Sequence, residues 1–175
     1  AGKEILPLGF RMTNDHEERS GMHRTAAEAL RERLDKGLSV AMLNLGDISV
    51  FASFRYLAEI LTDQGYEIRM IPGVTSFTAG AAALGATLTD MRKPLHIIPD
   101  GGSMDESLLD RDASFVFMKS GRNLSALFQL LERRGLLEQA KVVQNCGMPN
   151  ERLYQSAVGA DIAPDYFTVV LLRKE

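Results

Sequence analysis

Apolar runs alternate with helical segments in the first half of the chain, and this order constrains the fold more than any other feature. Apolar residues at helical spacing within residues 20–37 are followed by the run Val40-Ala41-Met42-Leu43. A second helical segment ends before Gly65, the run 67–71 follows it, and small residues over 77–84 form a third. This order is typical of βαβ units, in which the apolar runs are strands of a parallel sheet.

Two loops follow the strands predicted in this half. The first contains Gly46 and Asp47, and the second runs from Pro72 through Thr75 and Ser76. Because ligands bind at the carboxyl ends of parallel strands, we expect both loops to face one crevice. The hydroxyls and backbone N–H groups of the second loop suit polar or anionic ligand atoms. Asp47 has two interpretations of equal weight, a ligand-orienting carboxylate and a cap for the next helix.

The character of the sequence changes near Thr89, where we place a boundary between a domain of residues 1–88 and a domain of residues 89–175. The second half has one helical pattern, over residues 124–134, among several short apolar runs. Its last two runs have no helix between them, which favours antiparallel pairing. The sequence therefore predicts an α/β protein with a parallel sheet in the first domain and a mixed sheet in the second.

Composition excludes several classes of function. With 20 basic and 23 acidic residues the net charge is -3, so nucleic acid and anionic membranes are not the expected partners. The single cysteine, Cys146, cannot form an internal disulfide, and no Cys/His spacing matches a zinc site. No apolar run reaches the roughly 20 residues of a membrane span. We expect a cytoplasmic protein with no metal site of its own and with Cys146 as a buried thiol.

A paired motif resembles a known family. Leu45-Gly46-Asp47 is followed by Ser49-Val50-Phe51-Ala52-Ser53 and later by Ile71-Pro72-Gly73-Val74-Thr75-Ser76-Phe77. This arrangement is similar to that of the tetrapyrrole methylases, which transfer a methyl group from S-adenosylmethionine. Within the family the chain resembles the C20-methyltransferases of cobalamin biosynthesis, which act on precorrin-2 or cobalt-factor II. The segments that carry this closer resemblance are Leu95–Pro99, Phe117–Asn123, Cys146–Met148, Glu151-Arg152 and Tyr166-Phe167.

The resemblance implies two α/β domains, a homodimer, S-adenosyl-L-methionine as cofactor and a small tetrapyrrole as substrate. It implies no dedicated catalytic acid or base, because the main task is to position the two reactants. The cofactor-binding residues it implies are Leu45, Gly46, Asp47, Val50, Thr75, Ser76, Met118 and Gly147. The substrate-binding residues it implies are Lys119, Arg122, Arg55, Phe51 and Ser53, the cations serving as anchors for carboxylates.

The chain departs from the family pattern in three places, which keeps alternatives open. Ile48 stands where the family has proline after Gly-Asp, Phe51-Ala52-Ser53 replaces a usual Tyr-Ser-Thr, and Arg11 stands where a proline is usual. One alternative is a catalytically impaired protein that still binds tetrapyrrole or cofactor. Another is a family methyltransferase with a different substrate.

The start of the chain also differs from the family pattern. Family members have a strand, a Gly-x-Gly-Pro-Gly-Asp loop, a helix and a further strand before the segment that matches Phe10-Arg11-Met12-Thr13. We therefore expect an N-terminally truncated chain, and a longer form should bind S-adenosylmethionine better than this one.

Overall fold

The structure is a computed structural model of the 175-residue chain, and it describes residues 2–11, 13, 15–100 and 104–174. Met12, part of one family-like segment, lies outside these residues. The chain divides into two compact units, Ala1–Gly73 and Val74–Glu175. This division precedes the helix of small residues, whereas the sequence places the boundary near Thr89. The assignment of domains to 1–88 and 89–175 stays a prediction.

The first unit contains two helices, α1 (His16–Leu34) and α2 (Phe54–Asp63). Helix α1 begins after Asp15 because the carboxylate of this residue accepts the N–H groups of two residues of the first turn, at 2.8 and 3.2 Å. The chain leaves the helix through Gly37, whose φ of 73° suits glycine. The core between the helices consists of Ala26, Ala27, Leu30, Leu57 and Leu61.

The parallel sheet expected in the first unit is not present among its described residues, since neither Val40–Leu43 nor 67–71 forms a strand. Met42 and Ile68 pack against the helical core, whereas Leu43 is 91% exposed. The physical reason is that a strand exists only with a hydrogen-bonded neighbour, and these runs have none in the described part of the unit. Helices cover one side of the runs and leave the other side in solvent.

A buried histidine joins the two helices of the first unit. The ring of His23 stacks on Tyr56 of α2, with centroids 4.5 Å apart, and lies 5.8 Å from the ring of Phe10. Burial, and secondarily the charge of Arg19, lowers the pKa of His23 from its ordinary value of 6.5. The imidazole is therefore held neutral where the unfolded chain would already bind a proton.

We expect the stability of this unit to fall in mild acid. Because the pKa is lower in the folded state, the stabilisation from neutral His23 is complete above pH 6.5 and is lost as the pH falls toward the folded-state pKa. Thermal unfolding followed between about pH 8 and about pH 5 should show a declining midpoint. The variant His23→Phe should flatten this dependence, and an unchanged slope in that variant would contradict the assignment.

The second unit carries the sheet. Its described helices are α3 (Ser76–Ala83) and α4 (Leu124–Arg133), and short 3-10 helices lie between other described elements. Its strands are β1 (Leu95–Pro99), β2 (Ser114–Met118), β3 (Ala140–Gln144), β4 (Arg152–Tyr154) and β5 (Thr168–Arg173).

The strand order is β1-β2-β5-β3-β4, with β1 parallel to β2 and the other neighbours antiparallel. The mixed sheet predicted for the second half is thereby confirmed. Since β2 and β3 both run antiparallel to β5, they run parallel to each other. Strands β1, β2 and β3 therefore end at the same edge of the sheet, which we call the carboxyl edge.

Helices cover both faces of this sheet. Phe115 and Phe117 of β2 share a buried cluster with Leu127 and Leu131 of α4. On the other face α3 approaches closely because Gly80 has no side chain, and an added methyl group would strike Val143 of β3. In the described part of the chain no helix combines the length and apolar character required to cross a membrane.

Candidate functional site

The Asp47 carboxylate ties together the two loops singled out in the first half of the sequence. One oxygen accepts the backbone N–H of Ser49 at 2.8 Å and also the Ser49 hydroxyl. The other oxygen accepts the backbone N–H of Gly73 at 2.7 Å. These hydrogen bonds lower the pKa of Asp47, and the bond from the Ser49 hydroxyl has the largest effect. The carboxylate is thus stabilised in its charged form as the joint between the two loops.

The backbones of these loops are in direct contact. A methyl group added at Gly73 would overlap the carbonyl oxygen of Gly46 and lie 3.2 Å from its carbonyl carbon. Gly46 itself has a φ of 88°. The structure thus brings the first loop and the start of the second together, although the strands from which this contact was predicted are not present among the described residues. Asp47 caps no helix, because α2 begins after Ser53.

The other cofactor residues predicted in this unit border the same loop. Leu45 is 72% exposed, and the N–H of Val50 donates to the Asp47 carbonyl at 3.3 Å. The substrate candidate Phe51 has a φ of 51°, which is an unusual conformation for a bulky residue. Strain of this kind is concentrated at functional sites.

The remaining substrate candidates of this unit lie at the start of α2. Ser53 occupies the cap position but makes no side-chain cap bond. Arg55 pairs with Glu59 one turn later, with 2.8 Å between Nε and Oε1. Arg55 therefore already forms an ion pair within its own helix.

Thr75 and Ser76 belong to the second unit, at the start of α3. Thr75 caps this helix, accepting the N–H of Thr78 at 3.4 Å and lying 2.8 Å from the Thr78 hydroxyl. Ser76 is the first residue of the helix. One of the two predicted hydroxyls thus has a structural role in ordering the loop that follows Gly73.

The carboxyl edge of the sheet has an unusual backbone. Asp100, Lys119 and Asn145 directly follow β1, β2 and β3, and their φ angles are 58°, 56° and 53°. None of them is glycine, so each of the three parallel strands ends in a conformation that L-residues rarely adopt. The repetition at three neighbouring strand ends marks this edge as a candidate functional site.

Three of the predicted residues follow one another at the end of β2. Met118 is half-buried, and its carbonyl accepts the N–H of Asp100 at 2.7 Å. Lys119 is exposed overall, yet desolvation lowers the pKa of its ammonium group. Arg122 is exposed and forms no ion pair with any described residue.

Gly147 lies beside the third strand end. Its φ is 76°, and its N–H donates to the Glu151 carboxylate at 2.7 Å. Burial, and then the hydrogen bond that the thiol donates to the Glu151 carboxylate, raises the pKa of Cys146, which is half-buried. This agrees with a neutral thiol at that position. Any contact between Gly147 and a cofactor would use its carbonyl or its lack of a side chain, because its N–H is occupied.

Two side-chain pairs at this edge were not predicted from the sequence. The Asn123 amide donates to Asp100 at 2.8 Å, and the Asn145 amide donates to Asp165 at 2.9 Å. A signal was present, since Asp and Asn tolerate positive φ and each followed a predicted strand. Their partners could not be found from spacing. Among the described residues no group of three or more His, Cys, Asp or Glu is arranged to hold a metal ion.

Comparison with known proteins identifies the family. The sequence model described as Tetrapyrrole (Corrin/Porphyrin) Methylases matches residues 2–160. The chain belongs to the tetrapyrrole methylase family. This confirms the resemblance inferred from the paired loops.

Curated tetrapyrrole methylases are similar over most of the chain. A precorrin-2 C(20)-methyltransferase of Sinorhizobium sp is 31% identical over 95% of this chain and 72% of its own length. A cobalt-precorrin-2 C(20)-methyltransferase of Salmonella typhimurium is 28% identical over 98% of this chain and 74% of its own length.

Solved structures of tetrapyrrole methylases share the fold. A cobalt precorrin-4 methyltransferase has a TM-score of 0.70 at 18% identity, covering 93% of this chain and 73% of that structure. A uroporphyrin-III C-methyl transferase from Thermus thermophilus, complexed with S-adenyl homocysteine, has a TM-score of 0.65 at 20% identity, covering 89% and 73%. The α/β fold of the family is confirmed, whereas the individual site residues stay predictions.

Proposed function

We propose that the chain transfers a methyl group from S-adenosyl-L-methionine to the C20 meso carbon of precorrin-2 or its cobalt form. The observation that carries this proposal is the 31% identity to a precorrin-2 C(20)-methyltransferase over 95% of the chain. The enzyme class follows from the family, whose members are methylases. The place of the reaction in cobalamin biosynthesis follows from the same relatives.

The residues present suit a ligand with an adenine ring, ribose hydroxyls and an amino-acid group. The backbones of Gly46 and Gly73 are in direct contact beside the Asp47 carboxylate, and Leu45 is an exposed apolar side chain near them in sequence. At the carboxyl edge, Met118 is a polarisable apolar side chain at the end of β2, and Gly147 is exposed after β3. We propose that these residues hold the cofactor, with Asp47 fixing the loop and not entering the reaction.

The chemistry needs little from the protein beyond alignment. When bound, S-adenosylmethionine would supply an electrophilic methyl group to the meso carbon and would leave as a neutral thioether. The methylated meso carbon then loses its proton. Orientation of two reactants contributes up to about 7–11 kcal/mol in favourable cases. We therefore assign no side chain as acid or base, and the cofactor and substrate residues proposed here serve to position the reactants.

Substrate carboxylates are the expected partners of the cations at the carboxyl edge. Lys119 and Arg122 follow β2, and Arg122 has no competing ion pair among described residues. Arg55 is a weaker candidate because it already pairs with Glu59 at 2.8 Å. We propose Phe51 and Ser53 as further substrate contacts, next to the loop that holds Asp47.

Removing Arg122 should weaken substrate binding without changing the chemical step. Arg122→Ala should raise KM for the tetrapyrrole about tenfold, the effect of losing one charge-assisted hydrogen bond, and leave kcat nearly unchanged. The control is Arg133→Ala, since Arg133 is an exposed arginine at the end of α4 that pairs with Glu106 at 3.4 Å. Equal effects of the two substitutions would contradict a specific anchor.

A catalytically impaired binding protein is the second candidate. Phe51 supports this candidate, because it has a φ of 51° and lies in the segment Phe51-Ala52-Ser53, where the family usually has the hydroxyl-bearing residues Tyr-Ser-Thr. The two candidates differ in turnover. Calorimetric binding of S-adenosylmethionine or tetrapyrrole with no methylated product would favour the binding protein, and methylated product would exclude it.

The resemblance also implies a homodimer, and the composition favours the cytoplasm; we propose both for this chain. A single cysteine agrees with a reducing compartment. Analytical ultracentrifugation should give twice the chain mass of 19.3 kDa, and a monomer over the whole concentration range would contradict the dimer.

A further inference from the structure

The loops of the carboxyl edge are held together by one residue outside them, Asp165, which precedes β5. One of its carboxylate oxygens accepts the Asn145 amide at 2.9 Å, and the other accepts the N–H of Phe167 at 2.9 Å. Asn145 is the residue with positive φ at the end of β3. The Asp165 side chain therefore clamps the strained end of one parallel strand to the start of β5.

The backbone of Asp165 reaches the neighbouring strand end. A methyl group added at Gly121 would overlap the Asp165 carbonyl oxygen and lie 2.6 Å from its carbonyl carbon. Gly121 follows Met118 and Lys119 by a few residues, in the turn after β2. Asp165 therefore contacts the loop after β2 through its main chain and the loop after β3 through its side chain.

The remaining polar atoms around Asp165 are also engaged. The Thr168 hydroxyl donates to the Asp165 carbonyl at 2.7 Å. The Gln144 amide in turn donates to the Thr168 hydroxyl and to the Ala163 carbonyl, each at 2.8 Å. Gln144 and Thr168 are buried, so this network is fixed in the sheet. Asp165 thus holds the loops after β2 and β3 in fixed positions relative to the sheet.

We propose that Asp165 is a positioning residue for cofactor binding, which sets the loop after β2, with Met118, against the loop after β3, with Gly147. The inference rests on the proposed function, which places both residues at the cofactor. Asp165 does not touch the reactants in this account. It acts through Asn145 and Gly121, and through Asn145 it stabilises a backbone conformation that is otherwise unfavourable.

Asp165→Asn provides the test, because it keeps the size of the side chain but cannot accept both hydrogen bonds. The dissociation constant of S-adenosylhomocysteine, measured by calorimetry, should rise about tenfold for the loss of one charge-assisted bond. KM for S-adenosylmethionine should rise with it while kcat changes little. The control is Asp161→Asn, an exposed aspartate with no bond to a described residue, which should bind like the wild type.

A reciprocal exchange separates positioning from stability. In the double variant Asp165→Asn with Asn145→Asp, the new amide at 165 donates to the new carboxylate at 145, and its carbonyl still accepts from Phe167. Affinity should return to within about twofold of the wild type. Wild-type affinity in Asp165→Asn alone, or no recovery in the double variant, would overturn the inference. A wild-type chain that fails to bind S-adenosylhomocysteine would overturn the proposed function and this inference with it.

Discussion

Replacing Gly73 by alanine should reduce the affinity for S-adenosylhomocysteine by about ten- to a hundredfold, because relieving an overpacked contact costs about 1–3 kcal/mol and each ~1.4 kcal/mol corresponds to tenfold in affinity. The new methyl group would overlap the Gly46 carbonyl oxygen, and a backbone atom cannot move aside as a side chain would. The loops joined by Asp47 would separate, and the Gly73 N–H would leave the carboxylate that it now contacts at 2.7 Å. Calorimetric titration of the purified variant measures the effect.

The matched control for this prediction is Gly21→Ala in α1, where nothing lies within 4 Å of the added methyl group. This variant should bind the ligand normally and gain about 0.5–1 kcal/mol of stability, since alanine is the better helix former. If Gly73→Ala bound as tightly as Gly21→Ala, the contact between the two loops would have no part in cofactor binding.

Gly121→Ala should cause the second large effect, on both stability and binding. The added methyl group would collide with the Asp165 carbonyl and lie 3.2 Å from the Tyr166 nitrogen, so relief requires the turn after β2 to move. Overpacking of this kind costs about 1–3 kcal/mol. Urea unfolding should show this loss, and the affinity for S-adenosylhomocysteine should fall in the fraction that stays folded. An unfolding midpoint equal to that of the wild type would show that the turn after β2 can move away from the Asp165 carbonyl without loss of stability.

Several elements of the second unit could be predicted from the sequence, because the apolar runs that form β2, β3 and β5 are buried in one sheet. The apolar run Ser114–Met118, for example, is strand β2 over its whole length. The apolar run at Val40–Leu43 looked the same in the sequence but is not a strand, since apolar character indicates a preference for burial and does not supply a hydrogen-bonded neighbour. Helix α1 starts at His16, earlier than the apolar pattern, because the Asp15 cap fixes its first turn.

The contacts of the candidate site could likewise be predicted only in part from the sequence. The meeting of Gly46 and Asp47 with the start of the second loop was expected from parallel strands, but it occurs without them, because the Asp47 carboxylate accepts the N–H of Gly73. The part played by Asp165 did not follow from spacing. Its contacts with Gly121 and Asn145 depend on β5 lying between β2 and β3, and this antiparallel insertion has no local signature.

The measurement that tests the central claim most directly is the mass of the tetrapyrrole product. The chain is incubated with S-adenosylmethionine and with precorrin-2, in metal-free and cobalt-containing forms, and the products are separated and weighed by mass spectrometry. With a donor that carries a labelled methyl group, carbon NMR locates the addition. We expect a product heavier by one methyl group, at C20, from at least one of the two forms, and much less product from the Gly73→Ala variant at the same cofactor concentration. Unchanged substrate in both forms, with the cofactor shown to be bound, would contradict the claim.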